Sequence, residues 1–238
     1  MPKTQSKPAL LLLPNLLGEH RHHQPFLPES VDKAVQTIDG LIAESETAGR
    51  RYLGRFSTKK KSTEIPIAVF NEKTPDDHID FYLEPIRKGE RWGYVSDNGL
   101  PCIADPGAKL VKRAAQSGII VQAFVGPSSL MLALMLSGLP GQKFSFHGYL
   151  DRDSAKHIVQ LEKQSTKENA TQIFIETPYR NPKTLETLIE TLNDETLLCI
   201  AVDLTLPTQM VLTQPVKTWK KSPLPNIHKR NAIFLLKG

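Results

Sequence analysis

Between Trp92 and Pro140 the chain repeats one grammar twice: an apolar run, a turn rich in Gly and Pro, and a segment with helical spacing. Trp92 to Ser96 is short and apolar and ends in Asp97-Asn98-Gly99-Leu100-Pro101. Asn and Gly tolerate positive φ and Pro fixes the exit, so a buried strand entering a tight turn is predicted. Ala104-Asp105-Pro106-Gly107 makes a second turn, after which Leu110, Val111, Ala114 and Ala115 recur at helical spacing until Gly118. A second strand, Ile119 to Val125, runs into Gly126-Pro127-Ser128-Ser129, where Ser128 is placed to cap the next helix. Strand, turn, helix, repeated, is the pattern of a parallel α/β sheet, and both polar turns fall at carboxyl ends of strands, where such sheets bind ligands.

The same reading extends outward. Leu10 to Leu13, Leu41 to Ala43 and Ile65 to Phe70 add three strands, each near a polar or Pro/Gly segment. Ser30 to Ile38 is predicted helical, as is Thr74 to Lys88 with a kink or stop near Pro85. Glu44 to Thr47 reads as the lead out of the second strand. Beyond Gly126, a helix to Ser137 precedes a strand at Phe144 to Leu150, then a helix at Ala155 to Ser165. Thr171 to Ile175 and Leu197 to Val202 read as strands around a helix at Asn181 to Leu192, with Ile233 to Leu236 last. Pro207, Pro215, Pro223 and Pro225 mark the stretch between as loops and edge strands. The expectation is an α/β chain of two domains, 1–126 and 127–238.

With 39% hydrophobic and 23% charged residues, disorder is excluded. The net charge of +5 favours an anionic partner, and Lys59-Lys60-Lys61 reads as a solvated loop with RNA contact as its sharper alternative. His20, His22 and His23 have the residue type of a metal site, but adjacent histidines in a loop without Cys or a carboxylate set read as solvated, and no metal is expected. Cys102 and Cys199 lie far apart and in or beside apolar runs, which points to thiols in a reducing compartment. Ala9 to Leu13 is too short for a signal-peptide core or a bilayer span, so a cytoplasmic protein is expected. The dinucleotide Gly-x-Gly-x-x-Gly, the Walker A loop and the Gly-x-Ser-x-Gly elbow are all missing.

Five blocks in order carry a resemblance. They are LLLLPNLLGE (Leu10 to Glu19), IAESET (Ile42 to Thr47), VSDNGLPCIADPG (Val95 to Gly107) with VGPSS and LSGLP, IFIETPYR (Ile173 to Arg180), and AVDLT (Ala201 to Thr205). FSFHGYL adds a further short match. Together they resemble the class III S-adenosylmethionine-dependent methyltransferases of the tetrapyrrole methylase fold, and within it the branch of ribosomal RNA small subunit methyltransferase I. The resemblance implies two α/β domains with the cofactor, S-adenosylmethionine, in the cleft between them, and a homodimer. It also implies methylation of a ribose 2′-hydroxyl in the RNA of the small ribosomal subunit. Carried over by position, cofactor contacts fall to Asp97, Gly99, Leu100 and Pro101, to Gly126, Ser128 and Ser129, and to Phe174, Glu176 and Leu204. A hydroxyl is a poor nucleophile and a base would help; Asp97, Glu46 and Glu176 are candidates by position, and the catalytic residue is unassigned.

The chain departs from the pattern at sites more than in the core. P-T-P-I-G-N becomes Pro14 to Glu19, the Arg after E-D-T becomes Ala48, D-A-G-T-P becomes Asp97 to Pro101, and A-R-E-L-T-K becomes Ala201 to Leu206. Lost cations weaken phosphate contacts. Two alternatives therefore stay open: a methyltransferase acting on a corrin or porphyrin precursor, and a non-catalytic binding module that keeps the fold.

Overall fold

The computed structural model describes residues 7–150 and 154–238. The chain divides into two compact units, the first ending at Pro127 and the second spanning Ser128–Gly238.

In the first unit, β1 (Ala9–Leu12), α1 (Glu29–Val35), β2 (Gly40–Ala43), α2 (Glu46–Leu53), β3 (Ile67–Val69), α3 (Ile79–Arg87), β4 (Arg91–Val95), α4 (Gly107–Gln116) and β5 (Val121–Ala123) follow in order. The strands pair in the order β3-β2-β4-β1-β5, every pair parallel. Parallel strands need crossovers, and these place helices over both faces, so alternate residues of one strand enter different cores. Leu11 and Leu41 join Val31, Val35, Tyr52 and Leu53 beneath α1 and α2. Leu10 and Ile42 join Leu83, Ile86, Tyr94 and Leu110 beneath α3 and α4.

Three local expectations are corrected. Glu44 to Thr47 does not simply lead out of a strand: Ser45 accepts a hydrogen bond from the Ala48 amide at 3.1 Å and caps α2. The helix expected from Thr74 starts later: α3 begins at Ile79 after a 3-10 turn at Asp76–His78, and it stops at Arg87, two residues past Pro85. His23 is not solvated; it is 4% exposed, 2.7 Å from Asp32 Oδ1 and packed on Phe56.

In the second unit, α5 (Ser129–Ser137), β6 (Phe144–Tyr149), α6 (Ser154–Glu168), β7 (Thr171–Ile175), α7 (Asn181–Thr191), β8 (Leu197–Val202), β9 (Met210–Pro215), α8 (Val216–Trp219) and β10 (Ala232–Lys237) form a mixed sheet, β6-β7-β10-β8-β9. Only β6 and β7 are parallel neighbours; the other pairs are antiparallel. β9 takes the edge, where Pro215 can end it without breaking an inner ladder. One face carries Phe174, Ile200, Phe234 and Leu236 into a core with Leu161, Leu185, Leu188 and Trp219. The Phe174 and Phe234 rings stack at 5.4 Å. Buried Glu162 closes one side of this core, its carboxylate accepting from the Asn193 amide (2.8 Å), Asn193 Nδ2 (2.6 Å) and the Thr196 hydroxyl. α5 packs against β8, β9 and β10, and Thr213 Oγ1 donates to Ser137 O at 2.8 Å.

Register fixes where the loops of this unit go. Ile175 and Ala201 both pair with Ile233. The carboxyl ends of β7 and β8 and the amino end of β10 therefore share one end of the sheet.

Candidate functional site

In the first sheet β4 lies between β2 and β1, so the chain leaving all three at their carboxyl ends is adjacent. The turn after β4 is tied to the turn after β1 by one side chain. Asn15 is buried, and its Nδ2 donates to Ser96 O at 3.0 Å and to Asp97 O at 2.8 Å. Its Oδ1 accepts from the Leu16 amide at 2.8 Å and from Arg55 at 2.9 Å. Backbone completes the knot: Asn15 N donates to Gly99 O at 2.7 Å, and Gly99 N to Leu16 O at 3.3 Å. Ser96 Oγ donates to Asn98 O at 3.0 Å.

The consequence is chemical. The carbonyls of residues 96 to 99 are all engaged inside the protein. The amides of Asn98 and Leu100 and the carboxylate of Asp97 have no partner among the described residues. A turn built this way offers donors for a carboxylate or an adenine acceptor, and one anion for an ammonium. Gly99 holds φ at +67°, and a Cβ there would press on Leu17 and Pro127 O. At Gly126 a Cβ would overlap the Pro14 ring. The segments 14–17, 97–101 and 126–127 are thus packed to backbone contact, which brings the expected residues Asp97, Gly99, Leu100, Pro101 and Gly126 together in the first unit.

Two further carboxylates shape this turn. Glu44, just past β2, accepts from the Asp97 amide at 2.9 Å. Burial raises its pKa, and the neighbouring Asp97, Asp105 and Glu72 charges add to that rise. Asp105 organises the far side: Oδ2 accepts from Cys102 N, and Oδ1 from Gly107 N and the Tyr94 hydroxyl, at 2.7, 2.7 and 2.8 Å. These bonds hold Cys102 and Ala104 at φ of +69° and +62°. Burial, then the Asp105 charge, pushes the Cys102 thiol up to about 12, so it is no nucleophile near neutral pH.

In the second unit Ser128 caps α5, its hydroxyl accepting from Met131 N at 3.4 Å, and Ser129 begins the helix. The Phe174 ring is fully buried against Phe234, so any ligand contact there belongs to backbone or to its neighbours. Glu176 follows β7 with its side chain 2% exposed; Oε1 accepts from Thr177 N at 2.7 Å. Its Oε2 lies 3.2 Å from an Arg180 nitrogen without hydrogen-bond alignment, an orphaned buried acceptor that a ligand donor would complete. Leu204 is buried in the loop after β8, between Asp203 and Thr205, both at positive φ.

Of the three carboxylates nominated as a base, Glu46 is an exposed first-turn residue beside Arg50, and Glu176 is enclosed beside Arg180. Asp97 alone keeps a free carboxylate. Position in sequence missed Asn15, Glu44 and Arg55. Pro-Asn at the end of an apolar run was a turn signal for the first, and nothing local marked the other two. Arg50, which stands near the family's missing cation, is bound to the Ser62 and Ile65 carbonyls at 2.8 and 2.6 Å and anchors the lysine loop. No group of His, Cys, Asp or Glu among the described residues is arranged to hold a metal ion.

The family model of tetrapyrrole (corrin/porphyrin) methylases matches residues 28–219. Ribosomal RNA small subunit methyltransferase I of Thermotoga maritima is 35% identical over 162 residues, 68% of this chain and 70% of its own length. The protein of the same name from Haemophilus influenzae is 26% identical over 217 residues, 89% of this chain and 75% of its own. Among solved structures, the methyltransferase CobJ superposes with a TM-score of 0.67 at 14% identity, covering 97% of this chain and 94% of that one. The cobalt precorrin-4 methyltransferase CbiF does so at 0.60 and 11%, covering 96% and 94%. At such identities these two establish the fold. The family match and the Thermotoga relative establish more: the chain belongs to the tetrapyrrole methylase family, the class III S-adenosylmethionine-dependent methyltransferases, and is a methyltransferase.

Proposed function

We propose that the chain transfers a methyl group from S-adenosylmethionine to a ribose 2′-hydroxyl of small-subunit ribosomal RNA. The observation that carries this reading is the relation, over most of the chain, to proteins named ribosomal RNA small subunit methyltransferase I. When bound, S-adenosylmethionine supplies a methyl group on a sulfonium whose transfer to oxygen is an in-line displacement. The protein's task is then chiefly to hold donor and acceptor in line. In the first unit we assign donor contacts to Asp97, Gly99, Leu100, Pro101 and Gly126. The Asn98 and Leu100 amides serve a carboxylate or adenine, and Asp97 an ammonium. In the second unit we assign them to Ser128, Ser129, the backbone around Phe174, Glu176 and Leu204.

Two of the departures from the family pattern have structural roles in this chain. Asn15, in the altered 14–19 block, is the residue that knits the turn. Asp203, in the altered 201–206 block, is held by Arg230 and Thr208 at 2.7 and 2.9 Å. The likeness to corrin enzymes lies at 11–14% identity and speaks for fold alone. We further infer a homodimer. The apolar α5 leaves Met131, Met135 and Leu136 exposed, Met135 at 74%, as a surface that a second copy would cover. No helix among the described residues is long and apolar enough to cross a membrane, which is consistent with work in the cytoplasm on ribosomal RNA.

The test is methyl transfer. Protein is incubated with methyl-tritiated S-adenosylmethionine and small ribosomal subunits from a strain lacking methyltransferase I, and the RNA is digested to nucleosides. Label in a 2′-O-methylnucleoside is expected. Label only in protein, or none despite bound donor, would contradict the assignment.

A further inference from the structure

Outside the turns already described, the end of the second sheet carries an aromatic group with no structural task. The loop after β7 reads Thr177-Pro178-Tyr179-Arg180, and the loop before β10 reads Asn226-Ile227-His228-Lys229-Arg230. Backbone and buried side chains lock the two together. Lys229 N donates to Pro178 O at 3.0 Å, and Asn181 Nδ2 to Arg230 O at 2.6 Å. The Arg230 guanidinium reaches Asp203 Oδ2 at 2.7 Å and Thr208 O at 2.6 Å, adding the loop after β8 to the same frame. Within that frame Lys229 sits at φ of +60°, a conformation that a non-glycine residue keeps only when its surroundings over-determine it.

What the frame presents is the Tyr179 ring, 69% exposed and with no hydrogen bond to its hydroxyl among the described residues. The His228 ring meets it edge-on at 6.0 Å, and the Lys229 ammonium lies 5.6 Å from its centroid. Arg180, next in sequence, is half exposed. A lone exposed aromatic means little. An aromatic ring on a braced loop, flanked by an imidazole and an ammonium, with a guanidinium beside it, combines the two elements by which proteins hold unpaired nucleic acid: a stacking face and cations for the backbone.

We propose that Tyr179, with His228 and Lys229, is a stacking platform for an unpaired base of the RNA substrate, with Arg180 and Lys229 facing its phosphates. This deepens the RNA reading above and rests on it. Bases in a duplex present no free face, so the platform selects single-stranded RNA, with little preference among bases. It also restores to the second unit cationic contacts of the kind lost where the family's Arg and Lys become Val202 and Leu206.

Affinity for a fluorescein-labelled single-stranded RNA 20-mer of mixed sequence, and for the matching duplex, is measured by anisotropy at fixed ionic strength. Wild type is compared with Tyr179→Ala, Tyr179→Phe and Lys229→Ala. Loss of one base stack weakens single-strand binding by about tenfold in Tyr179→Ala. Tyr179→Phe, which keeps the ring, stays within about twofold, and duplex binding is unchanged in both. Lys229→Ala weakens binding and flattens its salt dependence. S-adenosylhomocysteine affinity, measured in parallel, is unchanged in all three. Equal single-strand affinity in Tyr179→Ala and wild type, or equal loss on single strand and duplex, would overturn the platform. If wild type methylates ribosomal RNA in that case, the functional assignment stands without it. A wild type that does not bind the single strand at all also overturns the platform, while the methyl-transfer assay on ribosomal subunits decides the functional assignment independently.

Discussion

Asn15 makes four hydrogen bonds with one amide, and three of its partners are otherwise buried or half-buried. Asn15→Ala would leave the Ser96 and Asp97 carbonyls and an Arg55 N–H without partners. An unsatisfied buried polar group costs about 1–3 kcal/mol, so the variant should lose about 2–4 kcal/mol in urea denaturation and bind the methyl donor more weakly. A neutral Asn15→Ala would show that water replaces the amide and that the turn holds itself. Glu44 makes the opposite prediction. Burial raises its folded pKa above its ordinary value of 4.5, so the folded state binds the proton more tightly than the unfolded state. Its ionisation therefore erodes stability as pH rises from the ordinary value through the raised one. Glu44→Gln keeps an oxygen for the Asp97 amide and removes the charge. It should be more stable than wild type at pH 7, with the difference vanishing below pH 4.5. A variant less stable at pH 7 would mean that the amide-to-carboxylate bond outweighs the burial. Neither role was legible in the sequence, because, the adjacent Leu16 amide apart, what each side chain touches lies 40 to 82 residues away. His23 failed to read for the same reason: a row of histidines looks solvated until Phe56 and Asp32 fold over one of them.

Elements were more legible where they are inner strands. β8 (LLCIAV) is a continuous apolar run and β7 (TQIFI) closes on one, Ile173 to Ile175, and both emerge at the expected bounds. α2 escaped because its buried positions, Gly49, Tyr52 and Leu53, supply too little apolar signal in eight residues. Gly49 is itself a packing choice, since a Cβ there would crowd Ile67 on β3. The turns were legible as turns, because Gly and Pro punctuate them, yet their mutual packing was not. That packing is testable at Gly126. Alanine would drive a methyl into the Pro14 ring, and overpacking of this kind costs about 1–3 kcal/mol. Gly126→Ala should lower the unfolding free energy by that amount and weaken donor binding. Loss of stability with unchanged donor affinity would detach the 126–127 segment from the donor site.

At the scale of the whole molecule, two α/β units of different topology, one wholly parallel and one mixed, agree with the family in fold and order of motifs. The likeness to CobJ and CbiF at 11–14% identity shows how widely one scaffold is shared, and we accordingly assign RNA contact to surface residues, Tyr179 and Lys229, and not to the sheets. The central claim is that the Asp97–Pro101 turn, held by Asn15, binds the methyl donor. Its most direct test is calorimetric titration of S-adenosylhomocysteine into wild type and Gly99→Arg, with circular dichroism confirming that both are folded. Binding in the micromolar range by wild type, abolished in Gly99→Arg, is the predicted result. Equal binding by the two folded proteins would place the donor elsewhere, and no binding by wild type would contradict the claim outright.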